Sequence, residues 1–286
     1  MTRVAVLGMG LLGSGFAEAM LSRGGTEVVV WNRSAAKTSP LVALGASAAA
    51  SPAEAVRGAD RIHLVLLDDD VVDATIDVCR DALTPGVVIV DHTTTLPSRT
   101  AARVAALDVT GVKYLHAPVM MGPGAARTAT GMMLAAGSRE RFDEVREALA
   151  QMTGELWYVG ARPDLAAVYK LFGNAAALSV VGVLADVMQM ADAADVPRTG
   201  VLEMLSKVNL NGPLGMRGKM MATGVFEPNF ALDVARKDLR LMLETAGDNP
   251  TPMLAALAAR MDEGIANGHG SEDFAIIGKS DEVVSH

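Results

Sequence analysis

The chain has 286 residues, half of them hydrophobic, one cysteine, five histidines and a net charge of −8. This length suggests about two domains with a large core, and the negative balance disfavours nucleic acid and anionic membranes as partners. A lone cysteine, Cys79, excludes an internal disulfide and fits a reducing cytoplasm, and the histidines lack metal-ligand spacing.

The chain opens on VAVL (4–7), a short buried strand, leaving no room for a signal peptide. GMGLLG follows at once, with Gly8, Gly10 and Gly13 in G-x-G-x-x-G spacing, then a helical stretch to Arg23 and a second strand, VVVW (28–31). In this strand–turn–helix–strand setting the motif is a dinucleotide-binding loop. Gly8 allows the tight turn, Gly10 the approach of a pyrophosphate, and Gly13 close helix–strand packing. The free N–H groups of the helix start would hold the phosphates, which brings Met9, Leu11 and Leu12 into the cofactor set. The second strand ends in Asn32-Arg33-Ser34 with no acid for a ribose hydroxyl. Arg33 can pair with a 2′-phosphate, assisted by Asn32 and Ser34, which favours NADP over NAD.

Ser51-Pro52-Ala53-Glu54 spells a capping box that starts a short helix. IHLVLL (62–67) is the next buried strand, its last residue Leu67 bordering the cofactor, and Asp68-Asp69-Asp70 opens a helix where negative charge is welcome. VVIVDH (87–92) leads into Thr93-Thr94-Thr95, hydroxyls placed at a strand's carboxyl end, where ligands of such sheets bind. YLHAPV (114–119) contains His116 and runs into the loop Met120-Met121-Gly122; strands at 132–137 and 156–159 complete an alternating pattern. The fold class is therefore α/β: an N-terminal Rossmann-type doubly wound sheet (1–162), a long interdomain helix, and an all-α C-terminal domain (163–286).

That long helix, LAAVYKLFGNAAALSVVGVLADVMQM (165–190), has apolar residues on every face and reads as buried all round. It is also long enough to span a bilayer, but Lys170, Asn174 and Asp186 and the lack of basic flanks favour a central helix of a soluble enzyme. Lys170 and Asn174, four residues apart, share one face. Polar groups on such a helix are costly without a function. Downstream breaks are expected at Pro197, Gly212-Pro213, Pro228 and Asn249-Pro250.

With these residues in place, the chain resembles the β-hydroxyacid dehydrogenase (3-hydroxyisobutyrate dehydrogenase-related) family, nearest its NADP-linked glyoxylate/succinic semialdehyde reductase branch. GMGLLGSGFA, VWNRS, DHTTTLP, AVYKLFGN, ARKDLRLM and SEDFAII carry the resemblance, which covers nearly the whole length. It implies that Lys170 is the proton donor to a carbonyl oxygen, that Asn174 orients the substrate, and that Thr93 and Thr94 contact substrate and nicotinamide. It further implies that Lys237 closes on the cofactor and that the protein is a homodimer. Where the family has P-V-S-G, this chain has Pro118-Val119-Met120-Met121-Gly122, a bulkier and more apolar wall. His116 replaces an acid and could bind an anion or move a proton. WNRS and Tyr169 are also similar to imine reductases, making C=N reduction the alternative activity. A non-catalytic NADP-binding interaction protein is a third reading, opposed by the presence of Lys170.

Overall fold

A computed structural model describes residues 1–209 and 211–279. The chain runs β1 (Thr2–Leu7), α1 (Leu11–Arg23), β2 (Thr26–Trp31), α2 (Ser39–Ala43), β3 (Ser47–Ala48), α3 (Pro52–Val56), β4 (Arg61–Leu64) and α4 (Asp69–Cys79). It continues with β5 (Val88–Asp91), α5 (Pro97–Asp108), β6 (Lys113–His116), β7 (Val119–Met120), α6 (Pro123–Thr128), β8 (Met132–Ala136), α7 (Arg139–Ala150) and β9 (Glu155–Gly160). Helices follow: α8 (Leu165–Ala193), α9 (Arg198–Lys207), α10 (Asn211–Thr223), α11 (Leu232–Ala246) and α12 (Pro252–Ala266).

The strands form one sheet in the order β3-β2-β1-β4-β5-β6-β8-β7, with β9 paired to β8. Pairing is parallel from β3 through β6, then antiparallel where β8 meets β6 and β7. The chain reverses its direction of travel at β1, so the carboxyl ends of β1 and β4 border the crevice where such sheets take ligands. Alternate residues feed two cores. Val4, Val6, Val28, Val30 and Val90 pack with Phe16 and Met20 of α1 on one face. Ala5, Leu7, Ile62, Leu64 and Ile89 pack with Val72 and Ile76 of α4 and Leu107 of α5 on the other. A strand period of two explains why both sets are apolar: a sheet covered by helices on both sides has no wet face.

Two strands were invisible to periodicity because they are two residues long, β3 and β7. The β4 strand also stops at Leu64 rather than Leu67, since beyond it the chain turns into the α4 cap. The cap at α3 forms with one shift: Ser51 Oγ accepts from Glu54 N (3.1 Å) as expected, while Glu54 Oε2 accepts from Ala50 N (2.9 Å), one residue before the cap. The break expected at Gly212-Pro213 falls instead inside the first turn of α10, where a proline's missing N–H removes no helical bond.

The chain divides into two compact units, Met1–Ala175 and Ala176–His286. The division lies within α8, later than the 162/163 hinge that composition suggests, because the first turns of α8 pack with the sheet unit: Ala166 is buried with Leu134 and Ala136 of β8. The second unit has its own core of Phe226, Leu232, Leu239, Leu254 and Met261. Its tail is fastened by Asp273, fully buried, which accepts from Asn229 N, Phe230 N and Ala275 N and pairs with Arg217.

The expectation that α8 is buried all round is not met in the single chain. Only Ala166, Ala167, Asp186 and Ala191 of this helix are buried, while Phe172 is 65% and Leu178 71% exposed. Its mean hydropathy of 1.8 over a spanning window passes a membrane test by composition and length. Asp186 is buried within its own unit, where Oδ2 accepts from Leu254 N (2.8 Å) at the start of α12, so this side of the helix faces protein.

Candidate active site

The first part of the site is the β1–α1 turn. Gly8 sits at φ +104°, in the region that favours glycine, and a Cβ there would lie 2.2 Å from the Val65 carbonyl oxygen. At Gly13 a Cβ would lie 1.9 Å from Gly8 O, so α1 can approach β1 only because that atom is missing. Gly10 differs: nothing stands within 4 Å of where its Cβ would be. It is the α1 N-cap residue, without a side-chain cap, and the space beside it is open to a ligand whose phosphates can meet the first N–H groups of the helix.

This turn opens on a cleft of about 850 Å³ along the ends of β1, β2 and β4, lined by Gly8, Gly10, Asn32, Arg33, Ser34 and Leu67 among others. Leu67 is 81% exposed, an apolar platform with nothing of its own to pack on. Leu11 is exposed and Leu12 half-buried at the helix start. Met9 departs from its expected role. Its side chain is in the core, and its N–H is already taken by Asn32 Oδ1 (2.9 Å). Asn32 Nδ2 in turn donates to Ser34 O (3.0 Å). Asn32 therefore braces the glycine turn against the β2 end rather than standing free for a phosphate. That leaves Arg33 and Ser34, both exposed, and a further cation that sequence reading missed, Lys37. Lys37 ends a 3-10 turn, Ala35–Lys37, four positions after Arg33, and both line the cleft. The absence of an acid at the β2 end was the legible half of this signal; the short turn that returns Lys37 to the rim was not.

The acidic run Asp68-Asp69-Asp70 is absorbed by structure. Asp68 Oδ1 accepts from Val71 N (3.0 Å) as the α4 cap, and Asp70 pairs with Arg99 (2.6 Å). Asp69 Oδ2 accepts from Leu96 N (2.8 Å), and its Oδ1 accepts from Arg103 (2.9 Å). Arg103 also reaches Asp73 (2.6 Å) and the Tyr114 hydroxyl (3.3 Å); Tyr114 donates to the buried Asp91. Burial pushes Asp91 upward, opposed by bonds from Tyr114 and Thr93. Through Asp91 Oδ1, which accepts from Thr93 N (2.8 Å), this network fixes the β5 end. Thr93 Oγ1 accepts from Leu66 N (3.1 Å), tying β5 to β4, while Thr94 is exposed beside it.

Lys170 is half-buried on the first turns of α8. Its Nζ donates to Val119 O (2.8 Å) and to Asn174 Oδ1 (2.9 Å), with the Met120 thioether at 3.5 Å. All three partners are uncharged. Burial lowers the lysine from its ordinary value, the direction needed by a group that exchanges protons near neutrality. Met120 lies in the notch left by Gly173, where a Cβ would come 2.6 Å from Met120 Cε. Met121 is half-buried and Gly122 exposed on the same loop.

His116 requires correction as a substrate group. It has no exposed surface, and its Nε2 faces Thr95 Oγ1 (3.4 Å) on the α5 side of the sheet. Alternation along β6 explains this: His116 shares a face with Tyr114, whereas the active loop begins after it. Desolvation, with the charge of Arg103 and the ring of His92, lowers it to about 3, so it stays neutral in the core. Lys237 belongs to the second unit, exposed on α11, where it pairs with Asp238 (2.7 Å).

Two family models match the chain: the NAD binding domain of 6-phosphogluconate dehydrogenase over residues 3–160, and the NAD-binding domain of NADP-dependent 3-hydroxyisobutyrate dehydrogenase over residues 165–279. The 3-sulfolactaldehyde reductase of Escherichia coli is 27% identical, covering 97% of this chain and 95% of its own. The chloroplastic glyoxylate/succinic semialdehyde reductase 2 of Arabidopsis thaliana is also 27% identical, over 96% of this chain and 78% of its own. An imine reductase structure from a Pseudomonas species shares the fold, with a TM-score of 0.87 at 22% identity, covering 96% of this chain and 98% of that one.

The glycine geometry yields a direct expectation. Gly13→Ala forces α1 away from Gly8, and dinucleotide affinity, read by fluorescence titration, should fall by about tenfold or more. Gly10→Ala, placed in open space, should retain the fold by circular dichroism and weaken only cofactor binding.

Proposed function

The chain belongs to the β-hydroxyacid dehydrogenase (3-hydroxyisobutyrate dehydrogenase-related) family of NAD(P)-dependent oxidoreductases, and on that basis we propose that it uses NADPH to reduce a small aldehyde or keto acid to the hydroxy acid. The observation that carries this reading is the Lys170 ammonium. It is half-buried, held between Val119 O and Asn174 Oδ1, and has no charged partner among its hydrogen bonds. Bound NADPH supplies the hydride. Lys170 gives its proton to the carbonyl oxygen, and Asn174 keeps the ammonium aimed while accepting one of its bonds. A burial-lowered lysine releases that proton more readily than one in water, and it takes a proton from the alcohol in the reverse direction. Thr94, exposed at the β5 end, is placed to meet substrate and nicotinamide, while Thr93, buried with its Oγ1 accepting from Leu66 N, holds that turn, and Gly8 to Gly13 hold the pyrophosphate.

Arg33, Ser34 and Lys37 support NADP over NAD: two cations and a hydroxyl stand on the cleft rim where an NAD enzyme places a carboxylate. The Met120-Met121 wall favours a carbonyl carrying apolar substituents over the smallest acids. It also supports a second reading, reduction of C=N bonds, and the likeness in fold to an imine reductase is compatible with that alternative. The presence of Lys170 weighs for C=O: a carbonyl oxygen is too weak a base to be protonated beforehand and needs a donor as the hydride arrives, whereas an imine nitrogen is basic enough to bind already protonated.

We assign the exposed apolar surface of α8 to a second copy of the chain. The helix is too apolar to stand in water, and a second copy offers the same apolar face for a self-complementary contact.

Three measurements test these assignments. Lys170→Ala should lower kcat for carbonyl reduction by about 10²–10⁴-fold with NADPH binding retained. Assayed against aldehydes, keto acids and cyclic imines, undiminished turnover in that variant removes the assigned proton donor. Replacing Arg33 and Lys37 together by Ala should raise KM for NADPH about 10–100-fold and leave KM for NADH within about twofold. Sedimentation velocity should give twice the chain mass; a monomer that needs detergent would reject the second copy.

A further inference from the structure

Two more histidines are buried on the other face of the sheet from His116, and neither belongs to the chemistry above. His63 on β4 and His92 just after β5 lie ring to ring, with centroids 5.2 Å apart and planes within 6°. Arg61 Nε donates to His63 Nε2 (2.8 Å), His63 Nδ1 bonds His92 Nε2 (2.9 Å), and His92 Nδ1 bonds the Ala117 carbonyl (2.6 Å). The ends of this row settle its protons. A guanidinium only donates and a carbonyl only accepts, so each imidazole must accept at Nε2 and donate at Nδ1. Burial keeps both rings neutral, His63 well below its ordinary value and His92 lowered to about 4. The row cannot carry protons, because a carbonyl at its end passes nothing on. Its effect is positional.

What it positions is the strand that holds the lysine. Ala117 is pinned twice by the β5 end: its N–H donates to Asp91 O (2.7 Å) and its carbonyl accepts from His92. Pro118 follows, with fixed φ and its carbonyl taken by Leu134 N (2.9 Å). The next carbonyl, Val119, accepts the Lys170 ammonium. Phe16 of α1 lies against the His92 ring (centroids 5.1 Å apart) and denies it another orientation. A single stiff residue, Pro118, therefore stands between the carbonyl bonded by the histidine and the one bonded by the lysine.

We propose that His92, oriented by His63 and Arg61, is a positioning residue that sets the Val119 carbonyl against the Lys170 ammonium. The inference rests on Lys170 being the proton donor. Side chains that divide the two ends of the imidazole test it. His92→Asn keeps a donor near Nδ1 for Ala117 and gives up the His63 contact; His92→Gln reaches toward His63 and gives up Ala117. The asparagine variant should keep kcat within about threefold of the parent. The glutamine variant should lose about tenfold or more, with KM for NADPH within about twofold, since a small misplacement of a catalytic group acts on turnover. If the glutamine variant does not fold, His92→Leu takes its place with the same expected loss. Equal kcat in the two variants, or a change confined to KM, overturns the proposal. Lys170→Ala, assayed alongside, separates the two failures. If it loses turnover while the His92 variants match each other, only the positioning role is rejected; if it keeps turnover, the proton-donor reading itself has failed.

Discussion

An ammonium group held by a carbonyl, an amide oxygen and a thioether is the constraint on which the site depends. A carboxylate partner would stabilise the charge and raise the lysine's pKa; neutral acceptors orient the group without holding its proton. The arrangement requires three separate elements to meet. The first turns of α8 bring Lys170 and Asn174 to one face, β7 offers Val119 O, and Gly173 leaves room for Met120 to lie over the amine. Removing a Cβ at position 173 is what allows a bulky residue at 120. The methionine wall and the glycine in α8 are one structural solution rather than two coincidences of composition.

The cofactor cleft is governed by the same economy of missing atoms. Gly8 and Gly13 are required by contacts with backbone carbonyls, whereas Gly10 borders space that no protein atom fills. Steric necessity at two positions and vacancy at the third separate the glycines that build the turn from the one that admits a ligand. Asn32 couples this turn to the β2 end, so the phosphate-binding loop and the rim carrying Arg33 and Lys37 are held in one register.

Much of this was legible in the chain, and the failures have physical causes. The glycine spacing, the alternating strand cores and the cap at Ser51 are local patterns, and each appears where local reasoning puts it. Lys170 and Asn174 meet because four residues on a helix always do. His116 was misplaced because a polar residue near a strand end looks solvent-facing until the alternation is counted from Tyr114. The bond from Met9 N–H to Asn32 Oδ1, between residues 23 apart, is one that no local pattern reveals. Exposure of α8 was missed for a deeper reason. Hydropathy reports that a surface must be covered, not by which molecule.

The end of β5 shows how buried polar groups can specify what apolar packing leaves loose. On one face Asp91 engages Tyr114 and Thr93 N, with Arg103 and Asp69 behind. On the other, His92 engages Ala117 O and His63. Two adjacent residues thus anchor two loops in opposite directions across the sheet. Apolar side chains would bury as well at lower desolvation cost, but they tolerate sliding; directional bonds with every end matched do not. Thr93 and Thr94 follow directly from this anchor, and Val119 is held by it at one remove. The strand end that locates the hydroxyls therefore also locates the acceptor of the ammonium, so Lys170 and the β5 end share a single reference point in the backbone.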